Sequence, residues 1–340
     1  MPPVPSDVRP LNRQEWAISL KSTGNKATVI IPVKNGLPHF RQVCEALKRQ
    51  KFAPGFEVIC IDSGSTDASV SVAKSHGWRI EHIPPSEFGH GRTRNFAATL
   101  GNSEFIVFLT HDAIPANDLW LANLLQPLEE DPDIAGAFSR HVAHTDADPF
   151  VAWEIQQHFR GLEEFPVVQI TDRAAYDADI GLQQIYHFFS DNSSALRRSV
   201  WAEFPLPDVQ FAEDQIWAKT IVEAGYKKAF AANSVVRHSH AFGPWDTLRR
   251  SFDESRAFHR LFGYRLAGSV RGILRSSIYL IRRDIGNALR YGWWRTHPAK
   301  TISRTLESFA RPLGHYLGCR KNLPRFVLAR ISRDDWIKSL

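Results

Sequence analysis

Between residues 27 and 130 the chain alternates between two patterns. Short apolar runs rich in β-branched residues give way to segments whose apolar positions recur every three or four residues. Residues 27–33, 56–62, 79–83 and 104–110 read as strands. Helices are expected over 40–50, with Phe40, Val43, Cys44 and Leu47 on one face, and over 67–76, 92–100 and 117–130. Strands joined by helices of this length pair in parallel, so the pattern predicts an α/β fold: a mostly parallel central sheet flanked by helices. Beyond residue 133 the rhythm loosens. Residues 134–142 read as a strand, 143–183 as an irregular polar stretch, 185–190 and 228–236 as further strands. Residues 213–224 read as a helix with Ile216, Trp217, Thr220 and Ile221 inward.

Charge is divided along the chain. The net charge is +6, but residues 241–340 hold 20 Lys and Arg against 7 Asp and Glu, leaving 22 against 29 in the first 240. An acidic front half suits a cation, and a basic rear third suits an anionic partner. Residues 1–25 are polar and Pro-rich and predict a flexible N-terminal segment, residues 26–241 a catalytic domain, and 242–340 a helical basic extension. Cys44, Cys60 and Cys319 are widely spaced, which fits neither a disulfide framework nor a CxxC metal motif and points to a cytoplasmic protein. In the extension, Val270, Leu274, Ile278, Ile281, Ile285 and Leu289 form one apolar stripe, with Arg271, Arg275, Arg282, Arg283 and Arg290 largely off it and Trp293-Trp294 at its end. Two readings fit: a helix in the plane of an anionic membrane, peripheral on its inner face, or a helix packed on the catalytic domain with a solvated basic face.

Four places carry chemistry. Pro32-Val33-Lys34-Asn35 ends the first strand, and Asp62-Ser63-Gly64-Ser65-Thr66-Asp67 ends the second. Open α/β sheets bind ligands beyond the carboxyl ends of their strands. Asp62 there could accept a hydrogen bond from the N3–H of uracil or thymine, whereas Asp67 reads as a helix cap. Phe88-Gly89-His90-Gly91-Arg92-Thr93-Arg94-Asn95 opens a helix with two cations in its first turn. Cations oppose the helix dipole at that end unless an anion such as a diphosphate is present. Thr110-His111-Asp112 ends the most apolar strand, and His238-Ser239-His240 follows the last one, offering a carboxylate and imidazole to a divalent ion. Glu213-Asp214-Gln215 begins a helix, where acids are favoured by the dipole in any case.

Taken together, these motifs resemble glycosyltransferase family 2, inverting enzymes of the A-type fold, over about residues 27–240. The Gly-His-Gly-Arg-Thr-Arg-Asn run and Thr-x-Asp-Ala are similar to its rhamnosyltransferase subgroup. The resemblance implies a dTDP- or UDP-linked sugar donor, with dTDP-rhamnose first, and a lipid-linked or growing bacterial surface glycan as acceptor. It implies Mg²⁺ or Mn²⁺ as cofactor. It places donor contacts at Pro32, Asn35, Asp62, Gly64, Gly91, Arg92, Arg94, Asn95, His111 and Asp112, acceptor-side residues at Asn192, Glu213 and Gln215, and the catalytic base at Asp214. The metal falls on Asp112 with His240 or His238, while Thr110 stands where the family's DxD motif has its first carboxylate. That loss leaves a nucleotide-sugar-binding pseudoenzyme as one rival. A nucleic-acid binder, suggested by the basic tail, is another, disfavoured because the acidic front half repels phosphate.

Overall fold

The computed structural model describes residues 24–320 and 322–333, so the flexible segment expected over 1–25 lies outside the described residues except for its last two. One sheet organises the front of the molecule. Its strands are β1 (Ala27–Val33), β2 (Phe56–Asp62), β3 (Arg79–His82), β4 (Phe105–Leu109), β5 (Ile114–Pro115), β6 (Ile134–Val142), β7 (Val167–Val168), β8 (Ser193–Arg197) and β9 (Lys227–Arg237). They lie in the order β3-β2-β1-β4-β8-β6-β9-β5, with β7 beside β9. The strands β3, β2, β1 and β4 are parallel, as the alternation predicts. β8 then inserts antiparallel between β4 and β6, which makes the sheet mixed.

Helices cover both faces. His39–Lys48 and Trp120–Glu130 bury Phe40, Leu47, Trp120 and Leu124 on one side; Glu213–Glu223 buries Trp217 and Ile221 on the other, near Phe108 and Phe138. Each such side chain contributes roughly 1.5–3 kcal/mol through burial. Two sequence readings are corrected here. The stretch expected to be irregular contains the helix Pro149–Leu162, whose start is set by the Asp148 carboxylate accepting from the Phe150 amide and by proline in the first turn. The strand expected over 185–190 is instead the helix Ile180–His187, capped by Asp179, which accepts from the amides of Gly181 and Leu182. Aromatic, β-branched composition yields there to the cap and to His187, buried between the hydroxyls of Tyr176 and Tyr264 at 2.6 Å from each.

The extension is helical, as expected: Pro244–Phe262, Val270–Arg290, Trp293–Thr296, Pro298–Gly318 and Arg325–Ile331. It packs on the catalytic part. Pro298–Gly318 crosses Pro244–Phe262 so closely that a Cβ on Gly314 would stand 2.4 Å from the Leu248 carbonyl oxygen. Val270–Arg290 turns a polar face inward, burying Ser277, Asp284 and Ala288. Arg304 bonds Asp284 at 3.0 Å and also pairs with Glu154, which Arg311 clamps from a second side at 3.0 Å. Burial alone would raise Glu154, but Arg311 and Arg304 outweigh it and hold its carboxyl at about 2.

Candidate active site

Strand register brings the motifs to one edge. Val33 pairs with Asp62, and Asp62 with His82, so β1, β2 and β3 end level. β4 runs antiparallel to β8 with Leu109 opposite Ser193, so the end of β4 meets the start of β8, and the Thr110 amide donates to the Asn192 carbonyl at 3.1 Å. The Asp191 amide in turn donates to Asp214 Oδ2 at 3.2 Å. β6 and β9 end beside them, where the His238 amide donates to the Val142 carbonyl.

The Asp62 loop is built by its own side chains. Asp62 accepts the amides of Gly64 and Ser65 and bonds His82 Nδ1 at 3.1 Å. Burial raises its carboxyl, but bonds from Ser65, His82 and Gly64 carry it below its ordinary value, so it stays ionised. Gly64, at φ +90°, makes the turn. Asn35, itself at φ +49°, accepts the Thr66 amide at 2.7 Å and staples the β1 and β2 loops. Asp67 accepts the Ser69 amide at the start of the following helix, whose N-cap is Ala68 rather than Asp67 as expected, and also accepts from Leu37. His111 reaches the Pro32 carbonyl oxygen at 3.3 Å, locking β4's end to β1's.

Asp112, His238 and His240 converge. Asp112 Oδ2 lies 3.6 Å from His238 Nε2 and 3.4 Å from His240 Nε2, and the two imidazole nitrogens are 3.2 Å apart. Ligands held about 2.1 Å from one ion stand roughly 3.0–3.5 Å from each other. Two Nε2 lone pairs aimed at one point also want a cation or a proton between them. The triad therefore fits a divalent ion, with both histidines where the sequence left a choice of one. The second imidazole offers a third ligand atom beside Asp112. Burial works against an ionised Asp112, but the hydrogen bond with His238 and the other polar groups around it prevail and hold it well below the usual range.

The Gly-rich motif divides. Arg92 is exposed and bonds Asp208, itself exposed, at 3.0 Å. Surface pairs of this kind contribute only about 0–1 kcal/mol, so Arg92 can exchange that partner for an anionic ligand at little cost. Arg94, Asn95 and Gly91 are engaged by other groups of the protein. Arg94 is buried, donating to Glu213 Oε1 at 2.9 Å and to the carbonyls of His90 and Asp191. Asn95 is used up by Trp201 and Leu206. Gly91 admits the loop at Pro207, whose carbonyl oxygen a Cβ would meet at 2.1 Å.

Arg94 instead organises the acids. Glu213, Asp214 and Asp191 surround it; Asp191 Oδ2 lies 3.8 Å from Arg94 Nε, and Asp191 Oδ1 accepts from Ser194 at 2.6 Å. Ala212, at φ +60°, carries left-handed backbone strain just before Glu213 and aims the first turn of that helix. Asp214 also accepts the Gln215 amide at 2.8 Å. Burial first, then the charges of Glu213 and Asp191, push Asp214 well above the usual carboxylate range; burial pushes Asp191 up to about 6. Asp191, His82 and Asp208 were missed in the sequence, although His82 sits at the end of a predicted strand in register with Asp62. Arg94→Gln is expected to cost about 3–5 kcal/mol in a denaturant titration, because it strands buried carboxylates, while the folded fraction keeps its donor affinity.

A family model for glycosyl transferase family 2 matches residues 28–203, more than half of the chain. The chain belongs to glycosyl transferase family 2. This glycosyltransferase is 35% identical over 306 residues to the O-antigen chain rhamnosyltransferase WbaN of Salmonella anatum, covering 86% of this chain and 88% of that one. It is 32% identical over 308 residues to the O-antigen chain rhamnosyltransferase RfbN of Salmonella typhimurium, covering 86% and 89%. Among solved structures it resembles the mannosyltransferase PcManGT of Pyrobaculum calidifontis, crystallised with GDP-Man and Mn²⁺, at a TM-score of 0.53 and 15% identity over 85% of this chain and 86% of that one, a likeness of fold.

Proposed function

We propose that this family-2 enzyme transfers rhamnose from dTDP-rhamnose, with inversion, to a growing or lipid-linked O-antigen-type glycan at the inner face of the cell membrane. The observation that carries the reading is the placement of the Asp112–His238–His240 triad and the Asp191–Asp214 acid cluster at one sheet edge. Likeness to two O-antigen rhamnosyltransferases over most of the chain supports the sugar and the acceptor class.

Asp112, His238 and His240 would hold Mg²⁺ or Mn²⁺, which when bound would supply positive charge to a diphosphate leaving group. Arg92 adds a movable cation. The Asp62 loop, kept ionised and turned by Gly64, accepts the base N3–H with lone pairs that its own amides leave over. Asp214 takes the proton of the acceptor hydroxyl as it attacks in line, and Asn192, Glu213 and Gln215 border that side. A raised carboxyl is the better base near neutral pH. The binding-only alternative rested on Thr110, and the second histidine weakens it. A UDP-hexose donor uses the same residues and differs only at the base and sugar.

Titration calorimetry with dTDP, UDP, GDP and ADP in the presence of Mg²⁺ tests the donor. dTDP is expected to bind most tightly and ADP least. Preference for ADP would overturn the donor assignment.

A further inference from the structure

The extension presents an apolar face to the outside while hiding its polar one. Val270, Leu274, Ile278, Tyr279, Ile285 and Leu289 are between 43% and 66% exposed, whereas Ser277 and Asp284 of the same helix are buried. The neighbouring helix repeats this: Ile302, Leu306, Phe309 and Leu313 face out, and Arg304 and Ser308 face in. Amphipathic helices in water do the reverse. Exposed apolar stripes of this length mark an interaction surface.

Charge identifies the occupant. Residues 264–333 contain 15 Lys and Arg and two acids, Asp284 and Glu307. Both acids are committed to Arg304. No carboxylate therefore remains on the described part of this face to meet a second copy's arginines, and a symmetric pair would set arginine against arginine. An anionic surface meets the exposed Arg271, Arg275, Arg282 and Arg290 of this face. A groove of about 640 Å³ lies along the stripe, lined by Arg275, Ile278, Tyr279, Arg282 and Arg283, with apolar and cationic walls side by side. At the end of the stripe Trp294 is exposed with Arg295 over its ring, an interfacial pairing. No helix among the described residues is long and apolar enough to cross a membrane.

We infer that the helix Val270–Arg290 lies in the plane of an anionic phospholipid surface, its apolar stripe among the acyl chains and Arg271, Arg275 and Arg282 at the headgroups. This deepens the proposed function by naming the surface that would hold the enzyme at its acceptor. The Trp end of the helix is tied to the catalytic part by Trp293 against Phe150 at 4.9 Å and by Lys300 with Asp148. Phe150 follows β6, whose last residue, Val142, accepts the His238 amide, so the docking face is linked to the metal edge by a short stretch of chain.

Co-sedimentation of the full chain with phosphatidylcholine vesicles, and with vesicles containing about a third phosphatidylglycerol, tests the docking without any sugar. Pelleting with the anionic vesicles only is expected, weakening as salt rises. The triple variant Leu274→Ser, Ile278→Ser, Ile285→Ser should lose at least about tenfold in vesicle affinity, and Arg275→Gln with Arg282→Gln should lose about 20-fold or more on anionic vesicles. Both should keep the wild-type melting temperature, and both should keep transfer to a water-soluble acceptor if the proposed function is right. No pelleting of the wild type, equal pelleting on both vesicles, or unchanged affinity in the two variants would overturn the inference. So would a doubled mass without lipid that the triple variant abolishes. Loss of sugar transfer with lipid binding intact would instead count against the proposed function alone.

Discussion

Asp214→Asn is expected to lower turnover by about 10²–10⁴-fold and to leave donor affinity nearly unchanged, the range that a positioned general base contributes. An acceptor hydroxyl is too weak an acid to attack unaided, and the surroundings of Asp214 raise its carboxyl well above the usual range: burial first, then Glu213 and Asp191. The pH profile follows from that direction. The base must be deprotonated to act, so kcat/KM should fall as pH drops through its raised pKa, at a pH above the ordinary carboxylate range. The Asp191 side chain, pushed up to about 6, shares the same buried charge. Asp191→Asn removes one of the charges that raise Asp214 and should therefore move the acid limb to lower pH while the enzyme remains active. A variant Asp214→Asn that keeps its turnover and loses donor affinity would assign the residue to the donor instead, leaving Glu213 as the next base.

Asp112→Asn is expected to abolish measurable transfer and to weaken Mn²⁺ binding, read by calorimetry in the presence of dTDP, while the melting temperature stays within a few degrees. Asp112 is the one anionic residue of the three that would hold the ion, and the diphosphate could supply further ligand oxygens. His238→Ala and His240→Ala should each weaken Mn²⁺ binding, since the two nitrogens lie 3.2 Å apart and both face Asp112. Full activity of Asp112→Asn in EDTA would end the metal reading.

The front half of the molecule was legible because its signals are local. β-branched runs ending at Asn35, Asp62 and Asp112 are strands whatever surrounds them, and their parallel pairing places those ends together. The second half depends on partners distant in sequence. β8 is a Ser-Ser-Ala-Leu-Arg strand whose small hydroxyl residue Ser193 accommodates the Trp120 indole at 3.0 Å, a reason visible only in three dimensions. Arg94 showed the same limit. Two cations at a helix start pointed to an anion, and around Arg94 the anions are the protein's own Glu213 and Asp191, more than 90 residues away. Periodicity in the extension located the apolar stripe correctly but could not say which way it faced. The buried Asp284–Arg304–Glu154 network sets that orientation.

The most direct test supplies labelled dTDP-rhamnose, UDP-glucose and UDP-galactose to the enzyme with Mn²⁺ and a lipid-linked bacterial glycan, and follows label into the lipid-extractable fraction. The account predicts metal-dependent transfer of rhamnose, with the new linkage inverted relative to the donor and with no transfer by Asp214→Asn above about one hundredth of the wild-type rate. Donor binding without transfer, or transfer of equal rate in EDTA, would contradict it.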